Sequence, residues 1–191
     1  MKSLFSKIDQ LGFVVTNLWE RVHQLYDNYG IGPWMIVKFG GEDGIPIQNV
    51  ELFGKAVGTY SILNAVCDLP DGLQLELIEP LDSDSIFSYY LKTRGPCLQH
   101  ISVSGVDFEE SIRILHESGF VETQRAIVDQ QELCVFCEQP ALGICFELHK
   151  READFHFPDV KPTFYPENIS SQFSGKSHDI TELSNLIIKS N

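Results

Sequence analysis

Basic residues are scarce in this chain. Lys plus Arg number 14 against 27 Asp plus Glu, a formal net charge of −13, which repels phosphate backbones and anionic membrane surfaces. Neither a nucleic acid nor a membrane is expected as a partner. Long apolar runs are also lacking: no stretch approaches membrane-spanning length, and the opening MKSLFSKIDQLGFVV has no uninterrupted apolar segment ahead of a small-residue cleavage site. A soluble, cytoplasmic protein is expected. The third absence is of cysteines in a pairing pattern. Cys67, Cys97, Cys134, Cys137 and Cys145 are odd in number and scattered through apolar segments, which argues against a disulfide framework. Cys134 and Cys137 have CxxC spacing but lie in one alternating run with no second CxxC, the pattern of reduced, packed thiols rather than of a zinc or redox site.

The 191 residues are 43% hydrophobic and 11% aromatic, enough to bury a core as one domain or as two small repeated ones. From Lys7 to Thr16 apolar residues alternate, with Leu11, Phe13 and Val15 on one face and Gln10, Gly12 and Val14 on the other, the period of a strand. At Leu18 the period becomes helical, with Asn17 as N-cap and Gly30 as stop. Strands are then expected at Trp34 to Phe39, Ala56 to Val66 and Leu73 to Ile78, with the turn-rich segment Gly40 to Val50 as a loop.

The same order then returns. Leu98 to Ser104 alternates, Phe108 to His116 is helical behind Asp107, and Phe120 to Val128, Leu133 to Glu138 and Ile144 to Lys150 are expected strands. An internal βαβββ duplication accounts for this, since one such unit has a sheet face that its single helix only partly covers. The expected class is α+β, with two tandem βαβββ modules in a curved, partly closed mixed sheet and the helices outside. Residues 1–82 form the first module, 83–96 a linker helix carrying Ile86, Phe87, Tyr90 and Leu91, and 97–150 the second. Residues 151–191 form a C-terminal extension, an aromatic, Pro-rich strap followed by a short helix from Ile180 to Ile188.

The duplication carries four polar residues with it. Gln10 in IDQLGFVV and His100 in LQHISVSG hold matching places in the opening strands. Glu76 in LQLEL and Glu147 in ICFEL match in the closing strands. Alternation sends Leu75, Leu77, Phe146 and Leu148 toward the helices and leaves Glu76 and Glu147 on the other face. If the two sheets curve toward each other, Gln10, Glu76, His100 and Glu147 converge. One amide oxygen, one imidazole and two carboxylates suit a divalent ion such as Zn, Ni, Co, Mn or Mg with positions left for substrate oxygens. A single His does not match the two-His, one-carboxylate set of non-haem iron oxygenases.

Over residues 7 to 150 the chain resembles the vicinal oxygen chelate superfamily, which includes glyoxalase I, methylmalonyl-CoA epimerase, extradiol dioxygenases and bleomycin-resistance proteins. The most specific stretch is ELIEPLDSDSIFSYYLKTRGPCLQHISV, similar to the epimerase segment between the second and third metal ligands. The resemblance implies metal ligands at Gln10, Glu76, His100 and Glu147. Epimerases have His first and Gln second, so the order Gln, Glu, His, Glu is closer to that of eukaryotic glyoxalase I. Epimerases also use a second acidic base on the third strand, where Thr59, Tyr60, Ser61 and Asn64 stand here. Glyoxalase I has a glutathione-binding Arg where this chain has Val14.

The function implied by this resemblance is that of a metal-dependent isomerase, epimerase or lyase of the glyoxalase type, moving a proton alpha to a carbonyl of a small carbonyl or acyl-thioester substrate. Glu147 would be the base. Thr59, Tyr60, Ser61 and Phe136 would line the substrate pocket, and a homodimer is possible. Two alternatives stay open: a metal-free small-molecule-binding protein of the bleomycin-resistance kind, its cleft lined by Trp34, Phe39, Phe136 and the aromatic tail, and a ring-cleaving dioxygenase. The latter needs a second His, for which His149 is the candidate, although its place near the end of its strand suits a surface residue.

Overall fold

A computed structural model describes residues 4–104, 107–151 and 161–167. The expected helix from Ile180 to Ile188 and the strap segment with Phe155 and Phe157 lie outside them. The first half contains β1 (Lys7–Val14), α1 (Leu18–Tyr29), β2 (Trp34–Phe39), β3 (Ile47–Leu52), β4 (Lys55–Gly58), β5 (Ile62–Asp68) and β6 (Gln74–Pro80). After α2 (Ile86–Arg94) come β7 (Cys97–Ser104), α3 (Phe108–Glu117), β8 (Val121–Val128), β9 (Glu132–Gln139), β10 (Ile144–Arg151) and β11 (Thr163–Tyr165). The helix ends are set by their caps. Asn17 accepts the Glu20 N–H, Gly30 closes α1 in the left-handed region at φ 68°, and Asp107 accepts the Glu110 N–H.

Among the described residues the eleven strands belong to one mixed sheet in the order β11-β2-β5-β6-β1-β7-β10-β9-β8-β3-β4. Each half repeats one arrangement, its opening strand lying parallel beside its closing strand: β1 on β6 and β7 on β10. The halves join where β1 and β7 pair antiparallel. The four strands expected to carry the polar residues, β6, β1, β7 and β10, are therefore neighbours at the centre.

Alternation sorts the apolar side chains into an outer and an inner set. Val15, Leu18, Val22, Ala65 and Leu77 pack under α1, and Val103, Leu115, Val135 and Leu148 under α3. The inner face buries Val14, Ile47, Val50, Tyr60, Ile62, Ile78, Ala126 and Phe136 in one cluster. Met35 and Val37 of β2 also meet Val128 of β8. Contact between strands so far apart in the sheet order requires the sheet to curl. Helix α2 joins the inner cluster through Ile86, Phe87 and Tyr90, and the buried Gln124 side chain accepts the Ile86 N–H at 2.7 Å.

Two segments differ from the sequence expectation. The expected loop Gly40 to Val50 contains β3, which pairs with β4 on one side and with β8 of the second half on the other. Asn49 at φ 52° and register shifts on both sides of the strand put Ile47 and Val50, three residues apart, into the same core, erasing the period-2 pattern. The expected strand Ala56 to Val66 is two strands, because Gly58 at φ 89° breaks the pleat and Thr59, Tyr60 and Ser61 form the turn to β5. Part of the expected strap is described: β11 pairs with β2, Tyr165 packs at a tilt against His23 with ring centroids 4.0 Å apart, and its hydroxyl donates to Asp27 at 2.9 Å. Trp34 points outward into the core under α1, so it does not line the inner face. Among the described residues no helix is long and apolar enough to cross a membrane.

Candidate functional site

The inner face of the four central strands gathers Gln10, Glu76, His100 and Glu147 around one nitrogen. His100 Nε2 lies 3.2 Å from Glu76 Oε2, 3.2 Å from Glu147 Oε2 and 3.4 Å from Gln10 Oε1. His100, Glu76 and Glu147 are buried, at 1%, 8% and 6% exposure. The register makes the meeting possible. Glu76, Gly12 and His100 are partners in one row across β6, β1 and β7, and a Cβ on Gly12 would stand 2.0 Å from His100 Cε1. Only the missing side chain at position 12 lets the imidazole lie across β1 toward Glu76.

Neighbouring polar groups fix each member of the tetrad. Phe13 pairs with Leu98 and Gly12 with His100, so Gln99 is an extra residue in β7, a bulge that turns two consecutive side chains inward. Gln99 Oε1 lies 2.8 Å from His100 Nδ1, and its Nε2 donates to Cys145 Sγ at 3.6 Å. The Nδ1–H is thereby held by an acceptor, and Nε2 is the atom turned to the carboxylates. Gln10 donates to Gln74 Oε1 at 2.6 Å and Gln74 donates to Asp68 at 2.8 Å, which leaves Gln10 Oε1 toward His100. Asn64 of β5 donates a short hydrogen bond to Glu76 Oε1, and the Cys134 thiol of β9 donates to Glu147 Oε1 at 3.2 Å.

His149 belongs to this centre rather than to the outer surface. Its Nε2 lies 3.1 Å from Glu147 Oε2 and its Nδ1 2.9 Å from Glu132 Oε1, with 28% of its side chain exposed. Burial acts to lower the pKa of both His100 and His149. The carboxylate of Glu147, with Glu76 beside the first and Glu132 beside the second, outweighs it and holds each at about 10. Burial would raise the Glu147 carboxyl, but the two imidazoles hold it well below the usual carboxylate range. Burial, reinforced by Glu147, raises the Cys134 thiol well above its usual value.

Glu76 Oε2 and Glu147 Oε2 are buried and accept no well-directed hydrogen bond, although each is within 3.2 Å of His100 Nε2. One N–H cannot serve both. A divalent ion about 2.1 Å from its ligands sets cis donors roughly 3.0–3.4 Å apart, the spacing found around His100. The residues therefore fit such an ion.

The residues anticipated for a substrate pocket are dispersed. Tyr60 and Phe136 are buried in the inner cluster, linked through Phe87 by edge-on ring contacts of 5.8 and 5.5 Å, and Phe136 lies 5.2 Å from the His100 ring. Thr59 is exposed, and Ser61 is half-buried with its N–H donated to Asp82. Cys134 and Cys137, being an odd number of residues apart, face opposite sides of β9, the first toward the inner core and the second under α3. The sequence did not single out Gln99, Gly12, Gln74 or Glu132. The Gly between Gln10 and Val14 on an otherwise side-chain-bearing face was the available signal.

Two βαβββ frames, the first with the β3–β4 hairpin inserted between β2 and β5, share one curled sheet with acidic, amide and imidazole groups on the inner face of its central strands and define a vicinal oxygen chelate fold. Residues 9–137 match the model of the Glyoxalase/Bleomycin resistance protein/Dioxygenase superfamily, and the chain belongs to that family. A methylmalonyl-CoA epimerase from Mycobacterium tuberculosis is similar in structure, with a TM-score of 0.56 and 21% identity over 80% of this chain and 92% of that one. A hypothetical protein from Bacillus halodurans aligns with a TM-score of 0.51 and 18% identity over 79% of this chain and 98% of its own. No curated protein matches the sequence.

Proposed function

We propose that the protein is a divalent-metal-dependent isomerase, epimerase or lyase that transfers a proton alpha to the carbonyl of a small carbonyl or acyl-thioester substrate in the cytoplasm. The observation that carries this reading is the convergence of Gln10, Glu76 and Glu147 oxygens on His100 Nε2, with two buried carboxylate oxygens unsatisfied. Gln10, Glu76, His100 and Glu147 are the ligands, all from one chain. When bound, the ion would polarise the substrate carbonyl and stabilise the negative charge that develops as the neighbouring C–H is broken.

The chain's own groups do the rest. Glu147 takes the proton on a carboxylate oxygen and returns it, its carboxyl held well below the usual range against burial by the imidazoles beside it. His100 is locked by Gln99, and Glu76 by Asn64, so these two anchor. Gln10 is a neutral amide held by Gln74, a weaker ligand that a substrate oxygen can replace. Buried Tyr60 is kept a neutral phenol, first by desolvation and then by Cys134, Glu147 and Glu76. Phe136 and Phe87 exclude water beside the imidazole.

The test combines elemental analysis of protein prepared without chelator and α-proton exchange into deuterated buffer with a panel of α-hydroxy carbonyl and acyl-thioester compounds. Stoichiometric divalent metal and exchange that disappears in Glu147→Gln are expected. Metal-free protein that binds the same compounds without exchange would instead make it a sequestering protein.

A further inference from the structure

The second half carries a set of donors that the first half lacks. His149 and Cys134 are cross-strand partners on β10 and β9, and Glu147 lies two residues along β10 on the same face. One ligand atom from each lies within 4.8 Å of the others, and two of the edges are already short: Cys134 Sγ to Glu147 Oε1 at 3.2 Å and Glu147 Oε2 to His149 Nε2 at 3.1 Å. The corresponding positions of the first half, Asn64, Glu76 and Ile78, offer neither sulfur nor imidazole. Two further observations point to a ligand. Glu147 Oε2 is buried without a hydrogen bond. His149 Nδ1, 2.9 Å from Glu132 Oε1, is likewise buried without a well-directed hydrogen bond.

We propose that Cys134, Glu147 and His149 form a second metal position, suited to zinc and bordering the tetrad, with the Glu147 carboxylate as the ligand common to both. One sulfur, one nitrogen and one oxygen donor make a three-residue set whose fourth place is open, the form of zinc sites that keep a position for water or substrate. The partly exposed His149 side chain gives the ion its way in. This inference rests on the proposed tetrad only for the sharing of Glu147; the position itself uses residues outside it.

The experiment uses the full-length chain stripped of metal and titrated with Co(II) alone, monitoring ions bound per chain and the thiolate-to-cobalt charge-transfer band in the near ultraviolet. Two ions per chain are expected, with a band that disappears in Cys134→Ser while one ion is retained. Circular dichroism checks that this near-isosteric variant folds. His149→Gln, which leaves the thiol in place, should weaken the band-forming ion at least tenfold. His100→Ala should remove the other ion and keep the band. A wild-type chain that takes one ion without the band, or a band that survives Cys134→Ser, overturns the second position and leaves the tetrad standing. One ion with a band that persists in His100→Ala supports the second position and removes the tetrad. No ion at all removes both.

Discussion

In the first half Glu76 accepts from the Asn64 amide on β5 and has Ile78 two residues along its strand, whereas in the second half Glu147 accepts from the Cys134 thiol on β9 and has His149 in the place of Ile78. The frame is the same and the chemistry differs. Asn64 restrains Glu76 by an amide hydrogen bond, and Ile78 is an apolar residue at 1% exposure in the inner core. Glu147 sits between two imidazoles and a thiol, groups that can exchange protons or donate to metals. Duplicated architecture thus supplies one carboxylate held by an amide and one surrounded by titratable groups, the asymmetry on which the proposed assignment of Glu76 as anchor and Glu147 as base rests.

The largest test of that asymmetry is a pair of isosteric changes. Glu147→Gln should lower substrate α-proton exchange per bound ion by about 10²–10⁴-fold, whereas Glu76→Gln should act mainly by lowering metal content. Equal losses of exchange, both with full metal, would show that the two carboxylates share the proton work. Next in size is the hairpin that ties the halves together. Ile47 is 5% exposed in the inner core, so Ile47→Ala should destabilise the chain by about 2–5 kcal/mol in urea unfolding. A loss below about 0.5 kcal/mol, the range of ordinary surface changes, would mark the hairpin as an appendage.

At the seam between the halves, Gly12→Ala brings a methyl against His100 and should cost about 1–3 kcal/mol while lowering metal retention, read by denaturation and dialysis. Asn64→Ala removes the donor to Glu76 Oε1 and should cost about 1–3 kcal/mol, without changing the near-ultraviolet cobalt band assigned to the other half. The smallest effect concerns thiol chemistry. Burial, helped by Asp68 in the first case and Glu122 in the second, pushes Cys67 and Cys137 up to about 12, while Cys97 is half-buried. Alkylation of the native protein at mild alkaline pH, mapped by mass spectrometry, should begin at Cys97.

The frame was legible because its strands keep period two on both faces and its helices are capped by Asn17 and Asp107. Matching the opening and closing strands singled out the same four polar residues that the structure brings together. The features that escaped were departures from period. Gln99 is an inserted residue, so alternation alone places either Gln99 or His100 inside, not both. β3 bends at Asn49, which hides its apolar set. The place of His149 near the end of β10 suggests a surface residue, yet pairing with β9 continues through Arg151, and its Nε2 lies 3.1 Å from Glu147 Oε2. Cross-strand partners such as Asn64 and Cys134 depend on register, which no single strand reveals.

The hairpin of β3 and β4 has a consequence for the order of assembly. Its partner β8 is synthesised only after β5, β6, α2, β7 and α3. As the chain emerges, the first half can complete the β2-β5-β6-β1 sheet, while Ile47 and Val50 wait for Ala126 and Phe136 to arrive. This long-range pairing delays closure of the inner core until most of the second half exists. The tetrad needs both halves as well, so the metal binding proposed for it should appear late in synthesis, close to the time at which the hairpin docks.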